Sequence, residues 1–362
     1  MAISKIPSAG ISNAINFRNL IINGNMSIHQ REDAATANNK FGVDRFVYND
    51  SNNFGQRAFE FQPNSDVPTG QGFAKCMKIN MTTPETAIAA GEYARVMHRI
   101  EGQNLQQLKY GTSNAEKVTL SFWLKTNVTG NFGVSLFQDD DSRIVGTTYT
   151  QASSGTWEKI KITFDGDTTG VIDNNNGSGL RVMFMLSAGS DFTSSDNTSW
   201  GTYANNKLGY GHTADLLGTT SGYWQVTGVQ LEVGSQASDF EFLPFDVNLN
   251  RCKRYFIREY KDATADYYCY PAKGQSSDTV RFNFYLSSTL RASPTVLQSG
   301  GWRVFSDSAY AGDSTTTASV LYYRENTSTI TLEVAGYSGL TDNESYNVAV
   351  KGMTSLDFDA EL

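Results

Sequence analysis

Ionisable and aromatic residues carry most protein chemistry, and a few groups of them stand out in this chain. Asp139-Asp140-Asp141 form an acidic run in a turn-rich stretch. Three adjacent carboxylates repel one another. A hard cation such as Ca2+ would relieve that repulsion, and so would water around an ordinary exposed turn. "DGDTTG", from Asp165 to Gly170 with Asp173 nearby, is a second acidic loop. It lacks the spacing of an EF-hand, and a tight turn explains it equally well. At most one structural calcium ion is expected from these loops.

A second group lies in the long irregular stretch 191–223, "DFTSSDNTSWGTYANNKLGYGHTADLLGTTSGY". Loops of this length in a compact domain are usually functional or disordered. Trp200, Tyr203, Tyr210 and His212 stand there among small polar residues. Flat rings beside amides and hydroxyls can stack on sugar faces and bond their hydroxyl groups. The same rings could instead pack the loop onto its own sheet or a neighbouring subunit. A third group is aromatic and C-terminal: Tyr267, Tyr268 and Tyr270 of "DYYCYP", Trp302, Tyr310, and Tyr322-Tyr323. Tyrosine offers large contact area at small entropic cost, which suits recognition surfaces, although β-core packing uses it too.

Other chemistry finds little support. His29, His98 and His212 have no metal-ligand spacing, and His98 falls on an apolar strand face. Cys76, Cys252 and Cys269 are far apart, with no CxxC or Cys/His cluster. Free thiols are expected, with neither a zinc site nor a disulfide framework. GxSxG, HExxH and Gly-rich phosphate loops are absent from the sequence. Asp165 and Asp167 could cleave a glycosidic bond only at a separation that spacing along the chain does not fix. The expectation is a protein that is not an enzyme.

The chain has 362 residues and a formal net charge of −8. That charge disfavours general affinity for nucleic acid or for an anionic membrane surface. Aromatics are plentiful, with 21 Phe, 18 Tyr and 5 Trp, and Gly (32) far exceeds Pro (7). Clusters of Gly, Asn, Ser and Thr punctuate short apolar stretches, as in an all-β protein. "MAISKIPSAGISNAINF" holds no apolar run of signal-peptide length, and no stretch is apolar enough to span a membrane.

The elements that would position these groups are legible as alternations. Val118, Leu120, Phe122 and Leu124 share one face of "KVTLSFWLKT"; Leu180, Val182, Phe184 and Leu186 share one face of "GLRVMFMLS". Ala94, Val96, His98 and Ile100 oppose Arg95, Met97 and Arg99 in the same way. Asn23-Gly24 between apolar stretches predicts a hairpin turn. In "GYWQVTGVQLEV", strict alternation puts Trp224, Val226, Gly228 and Gln230 on one side and Val229 and Leu231 on the other. Apolar groups on both sides predict a central strand with its second side against a loop or a partner chain. "DFEFLPF" predicts a last short strand. After it, "DVNLNRCKRYFIREY" reads as a short helix running into a strand, and a shorter β-set follows. The expected organisation is an N-terminal docking arm (1–16), a jelly-roll-like β-sandwich (17–245) and a smaller C-terminal β domain (246–362).

"NLIINGNMSIHQR", "EGQNLQQLKYGTSNAEKVTLSFWLKTNVTGNFGVSL", "FDGDTTGVIDNNNGSGLRVMFML" and "WQVTGVQLEVGSQASDFEFLPFDVNLNRCKRYF" resemble, in that order, segments of tailed-bacteriophage tail-fibre and receptor-binding proteins. "LRASPTV" at 290–296 resembles the start of that family's variable tip. The resemblance covers residues 17–257. It implies a carbohydrate-binding-module-like β-sandwich in a virion component made in the host cytoplasm, usually a homotrimer. It also implies attachment to another virion protein through the N-terminal arm, where Ile3, Ile6, Pro7 and Ile11 are the apolar docking candidates. The C-terminal portion would face a host surface glycan or other receptor. Two other readings stay open: a capsid- or tail-attached decoration protein that binds no receptor, and a polysaccharide depolymerase.

Overall fold

Most period-two alternation becomes strand in the computed structural model, which describes residues 17–31, 37–51, 58–85, 87–261, 269–306, 310–323 and 328–362. The docking candidates Ile3, Ile6, Pro7 and Ile11, and the tyrosines Tyr267 and Tyr268, lie outside the described residues. The chain divides into two compact units, one ending at Asn248 and one running from Leu249 to Glu361.

The strands of the first unit are β1 (Lys40–Val43), β2 (Phe46–Asp50), β3 (Ala58–Asn64), β4 (Cys76–Thr83), β5 (Tyr93–Glu101), β6 (Val118–Thr126), β7 (Phe132–Gln138), β8 (Arg143–Tyr149), β9 (Glu158–Phe164), β10 (Ser178–Ala188), β11 (Gly201–Thr202) and β12 (Tyr223–Val233). They form two antiparallel sheets, ordered β1-β2-β5-β10-β7-β8-β11 and β3-β4-β12-β6-β9. The inward side chains of both sheets make one core, so this unit is a β-sandwich. Phe122 of one sheet meets Phe184 of the other edge-on at 5.2 Å, and Tyr48 meets Phe59 at 4.3 Å. Burying such rings, at about 25 cal/mol per Å2 of apolar surface, is the main drive to assemble the layers.

β12 departs from strict alternation. Thr227 pairs with Trp123 but Gln230 pairs with Ser121, so two residues of β12 oppose the single Phe122 of β6. This β-bulge shifts the parity of the strand. Trp224 and Val226 point into the core before it, and Val229 and Leu231 after it. Gly228 takes φ +63° at the bulge. The two apolar parities therefore serve one core. The outer face is covered by a loop, where Gln225 bonds Asp66 and the Thr227 hydroxyl donates to the Lys75 carbonyl.

The Asn23-Gly24 turn forms, with Asn23 at φ +62°, but no hairpin flanks it. The Asn23 side chain donates to the carbonyls of Ile28 and Asp44 and accepts from the Ile28 N–H, which satisfies the turn without a partner strand. The turn docks on the bulge instead: the Val229 N–H donates to the Gly24 carbonyl at 2.9 Å. "DFEFLPF" is likewise not a strand. The Glu241 carboxylate accepts the main-chain N–H of Asn19 at 3.0 Å and the Glu241 N–H donates to Gln230 Oε1. Side chains thus take the place of a sheet ladder there. The described residues also include two short α-helices, α1 (Ser190–Thr193) in the irregular stretch and α2 (Phe245–Lys253) after the sandwich, and 3-10 turns at Gly102–Asn104, Gln106–Leu108 and Asn205–Lys207.

The second unit holds β13 (Phe256–Lys261), β14 (Cys269–Gly274), β15 (Val280–Tyr285), β16 (Thr295–Phe305), β17 (Tyr310–Ser314), β18 (Ser319–Tyr323), β19 (Thr329–Val334) and β20 (Ser345–Asp359). All belong to one antiparallel sheet ordered β17-β16-β20-β14-β15-β19-β18, with β13 also paired to β20. β20 pairs with β14 through Ser345–Ala349 and with β13 through Ser355–Asp359. Gly352 (φ +54°) on β20 and Gly300 (φ +100°) on β16 supply the irregular backbone between these halves. The sheet closes on its own core, in which Trp302 meets Phe282 at 5.3 Å and Phe284 meets Phe358 at 5.2 Å.

Candidate functional site

The end of β9 and the start of β8 belong to different sheets of the sandwich, and a polar cleft of about 560 Å3 opens there. Its walls are Lys117, Arg143, the loop 165–169 and Thr198-Ser199-Trp200. Arg143 begins β8 and grips Asp167 with two hydrogen bonds, Nε to Oδ2 at 2.6 Å and Nη2 to Oδ1 at 3.0 Å. The Thr169 N–H also donates to Asp167 Oδ1, and the Asp167 side chain is only 1% exposed. Asp165 lies at the surface and pairs with Lys117 at 2.6 Å. Its carbonyl accepts the indole N–H of Trp200 at 2.7 Å. Trp200 also stands edge-on to Tyr110 at 5.7 Å. Burial, with the Asp167 charge beneath it, pushes the Tyr110 phenol up and keeps it neutral.

The cleft therefore offers one half-buried indole, a rim of threonine and serine hydroxyls, and two cations each matched by a carboxylate. Such a surface binds polar, hydroxylated matter by stacking and hydrogen bonding. With both Asp167 oxygens held by Arg143, that carboxylate is not placed to hand a proton to a leaving group.

The other aromatics of stretch 191–223 do not join Trp200. Tyr203 packs edge-on against Phe137 at 5.1 Å and donates its hydroxyl to Asn205. Tyr210 is exposed. His212 is a core residue: its Nδ1 accepts the Gly133 N–H at 3.0 Å, and burial pushes its pKa down to about 4. A surface ligand cannot reach it. Trp302 is fully buried, with its N–H on Gln298, and is likewise core and not recognition surface. Tyr270, partly buried, stacks on Phe282 and packs at a tilt on Phe284 against the same core. Tyr310 opens β17.

The acidic run fans out. Asp139 accepts from the Arg181 guanidinium and from the Ser178 hydroxyl, Asp140 from the Asp173 N–H, and Asp141 from the Val171 N–H. Burial and the neighbouring carboxylates raise the Asp140 pKa. These side chains tie the run to the stretch 171–181 as hydrogen-bond acceptors. Among the described residues no group of three or more His, Cys, Asp or Glu is arranged to hold a metal ion.

Sequence spacing alone missed two features. Arg143 and Asp167 are 24 residues apart and gave no local signal. A second cleft of about 560 Å3 lies in the second unit, where Gly300, Gly301, Gly336 and Gly352 leave backbone bare beside Asp313 and Lys351.

No protein-family model matches this chain, and no curated protein matches it. Solved structures resemble it distantly. The enzymatically active domain of tailspike protein 4 of bacteriophage CBA120 aligns over 60% of this chain with a TM-score of 0.33 and 11% identity. The chain spans 22% of that tailspike chain. A Stig cyclase from Fischerella sp. TAU aligns over 60% of this chain and 97% of its own, with a TM-score of 0.35 and 11% identity. A family 11 carbohydrate-binding module of a Clostridium thermocellum cellulosomal cellulase aligns over 56% of this chain and 96% of its own, with a TM-score of 0.29 and 14% identity.

Proposed function

We propose that this chain binds a host surface glycan in the Trp200 cleft without cleaving it, as the attachment part of a phage virion fibre. The observation that carries the binding half is the cleft itself. A half-buried indole faces an open, hydroxyl-rich groove whose charges are already matched. Such a groove favours a neutral or weakly charged sugar over a free anion. The virion half rests on the ordered sequence resemblance. Its first and last segments pack against each other, Asn19 bonding Leu231 and Val229, and Asn23 approaching Asn248. In this reading the protein is a homotrimer on the tail or capsid surface, held by its N-terminal arm. Weak single contacts then become strong by multivalency.

The test is binding of the full chain to an array of bacterial surface polysaccharides, with Trp200→Ala and Trp200→Tyr compared. Trp200→Ala is expected to weaken binding about ten-fold or more, and Trp200→Tyr to keep most of it, because a ring can still stack. Both variants lose the indole bond to Asp165, so their melting temperatures should fall together. Binding that follows melting across the pair would make Trp200 a packing residue only. Release of reducing ends from a bound polysaccharide would replace this reading with a depolymerase.

A further inference from the structure

The outer face of the seven-stranded sheet carries a cluster of arginines in a chain of net charge −8. Arg95 and Arg99 alternate on β5 with the core residues Val96, His98 and Ile100, and Arg181 on β10 stands directly opposite Arg99. Phe137 on β7 is opposite Arg181, and its ring lies 5.1 Å from that guanidinium. Arg95 lies 5.0 Å from the Tyr93 ring, with its Nε donating to Asn49. Tyr203, folded over from the stretch 191–223, stands against Phe137 beside them. All three arginines are half-buried.

Neutralisation on this face is incomplete. Arg181 is held by Asp139. No carboxylate among the described residues bonds Arg99, and its buried Nε has no hydrogen-bond partner. Arg45 is a further neighbour, its guanidinium donating to the Arg99 carbonyl at 2.7 Å. Burial and mutual repulsion lower the proton affinity of Arg95 and Arg99. Half-buried like charges cost stability twice, by desolvation and by repulsion, and an anion from outside would offset both.

We propose that this face binds an acidic polysaccharide, with Arg99 and Arg95 taking carboxylates carried along a sugar chain. Guanidinium forks match carboxylates in paired hydrogen bonds. The rings of Tyr93, Phe137 and Tyr203 give an apolar border that a pyranose covers and a bare anion does not. Nucleic acid is the poorer fit, because it needs a long basic stripe and this chain is acidic outside the cluster. This face is separate from the Trp200 cleft, and neither site needs the other.

The test titrates the full chain with polygalacturonate, dextran, polyglutamate and a DNA oligonucleotide. Polygalacturonate should bind most tightly and lose about ten-fold or more in affinity from about 50 mM to about 500 mM salt. Arg99→Gln should lose about ten-fold or more with an unchanged or raised melting temperature, because it relieves repulsion. Arg99→Lys should recover part of the loss. Trp200→Ala should leave this binding unchanged, so the two sites can fail separately. No polygalacturonate binding, full binding by Arg99→Gln, or equally tight binding of polyglutamate or DNA would each overturn the proposal.

Discussion

His212 is a ligand by residue type and a core acceptor by position. Its ring lies edge-on to Phe132 at 6.0 Å and receives the Gly133 N–H, and burial lowers its pKa from 6.5 to about 4. Between those values the unfolded chain holds a proton that the folded chain refuses. The unfolded state binds more protons, so stability falls as pH drops through that window. The full loss below pH 4 approaches about 3 kcal/mol. Melting at pH 7 and at pH 4.5 should show the fall, and His212→Gln should shrink it; parallel falls in both proteins would refute the assignment. Residue types were legible here and their directions were not. Rings at 200, 203, 210 and 212 sit in one sequence loop, yet the fold sends Trp200 to the cleft, Tyr203 to the arginine face and His212 to the core. No regular period governs that loop, so nothing along the chain distinguished them.

At the scale of elements, the all-β class and most strands could be read because burial of one face enforces period two. Val118, Leu120, Phe122 and Leu124 are fully buried as their spacing implies. β12 broke the rule through one extra residue. Apolar groups at both parities of "WQVTGVQLEV" were the visible sign of the bulge, and Gly228 marks its place. A Cβ added there would lie 2.6 Å from the Phe73 ring, on a backbone at φ +63°. Gly228→Ala should therefore cost strain plus clash, about 2 kcal/mol or more. Gly70→Ala is the control, because φ +76° brings similar strain there but no atom lies within 4 Å of the new Cβ. Urea denaturation should rank Gly228→Ala clearly below Gly70→Ala. Equal losses would mean that the bulge relaxes freely around Phe73.

Among the described residues each unit has its own main core, one around Trp224, Phe122 and Phe184 and one around Trp302, Phe282 and Phe358, and a smaller cluster of Met97, Met183, Met185 and Leu208 lies on the outer face of the seven-stranded sheet. A core that closes on itself is the physical basis of a cooperative folding unit. The sandwich ties its own ends together: Asn19 meets Leu231, and Asn248 bonds Asn25 and Ser27. In the second unit, β20 alone pairs with β13, β14 and β16 and so links most of the sheet. Calorimetry should accordingly resolve two unfolding transitions. Gly228→Ala should lower only the transition of the first unit. Trp302→Ala, which empties a fully buried site at a cost of about 3–5 kcal/mol, should lower only the other. A single transition moved equally by both substitutions would mean that the chain unfolds as one body, and that two closed cores do not make two units of stability.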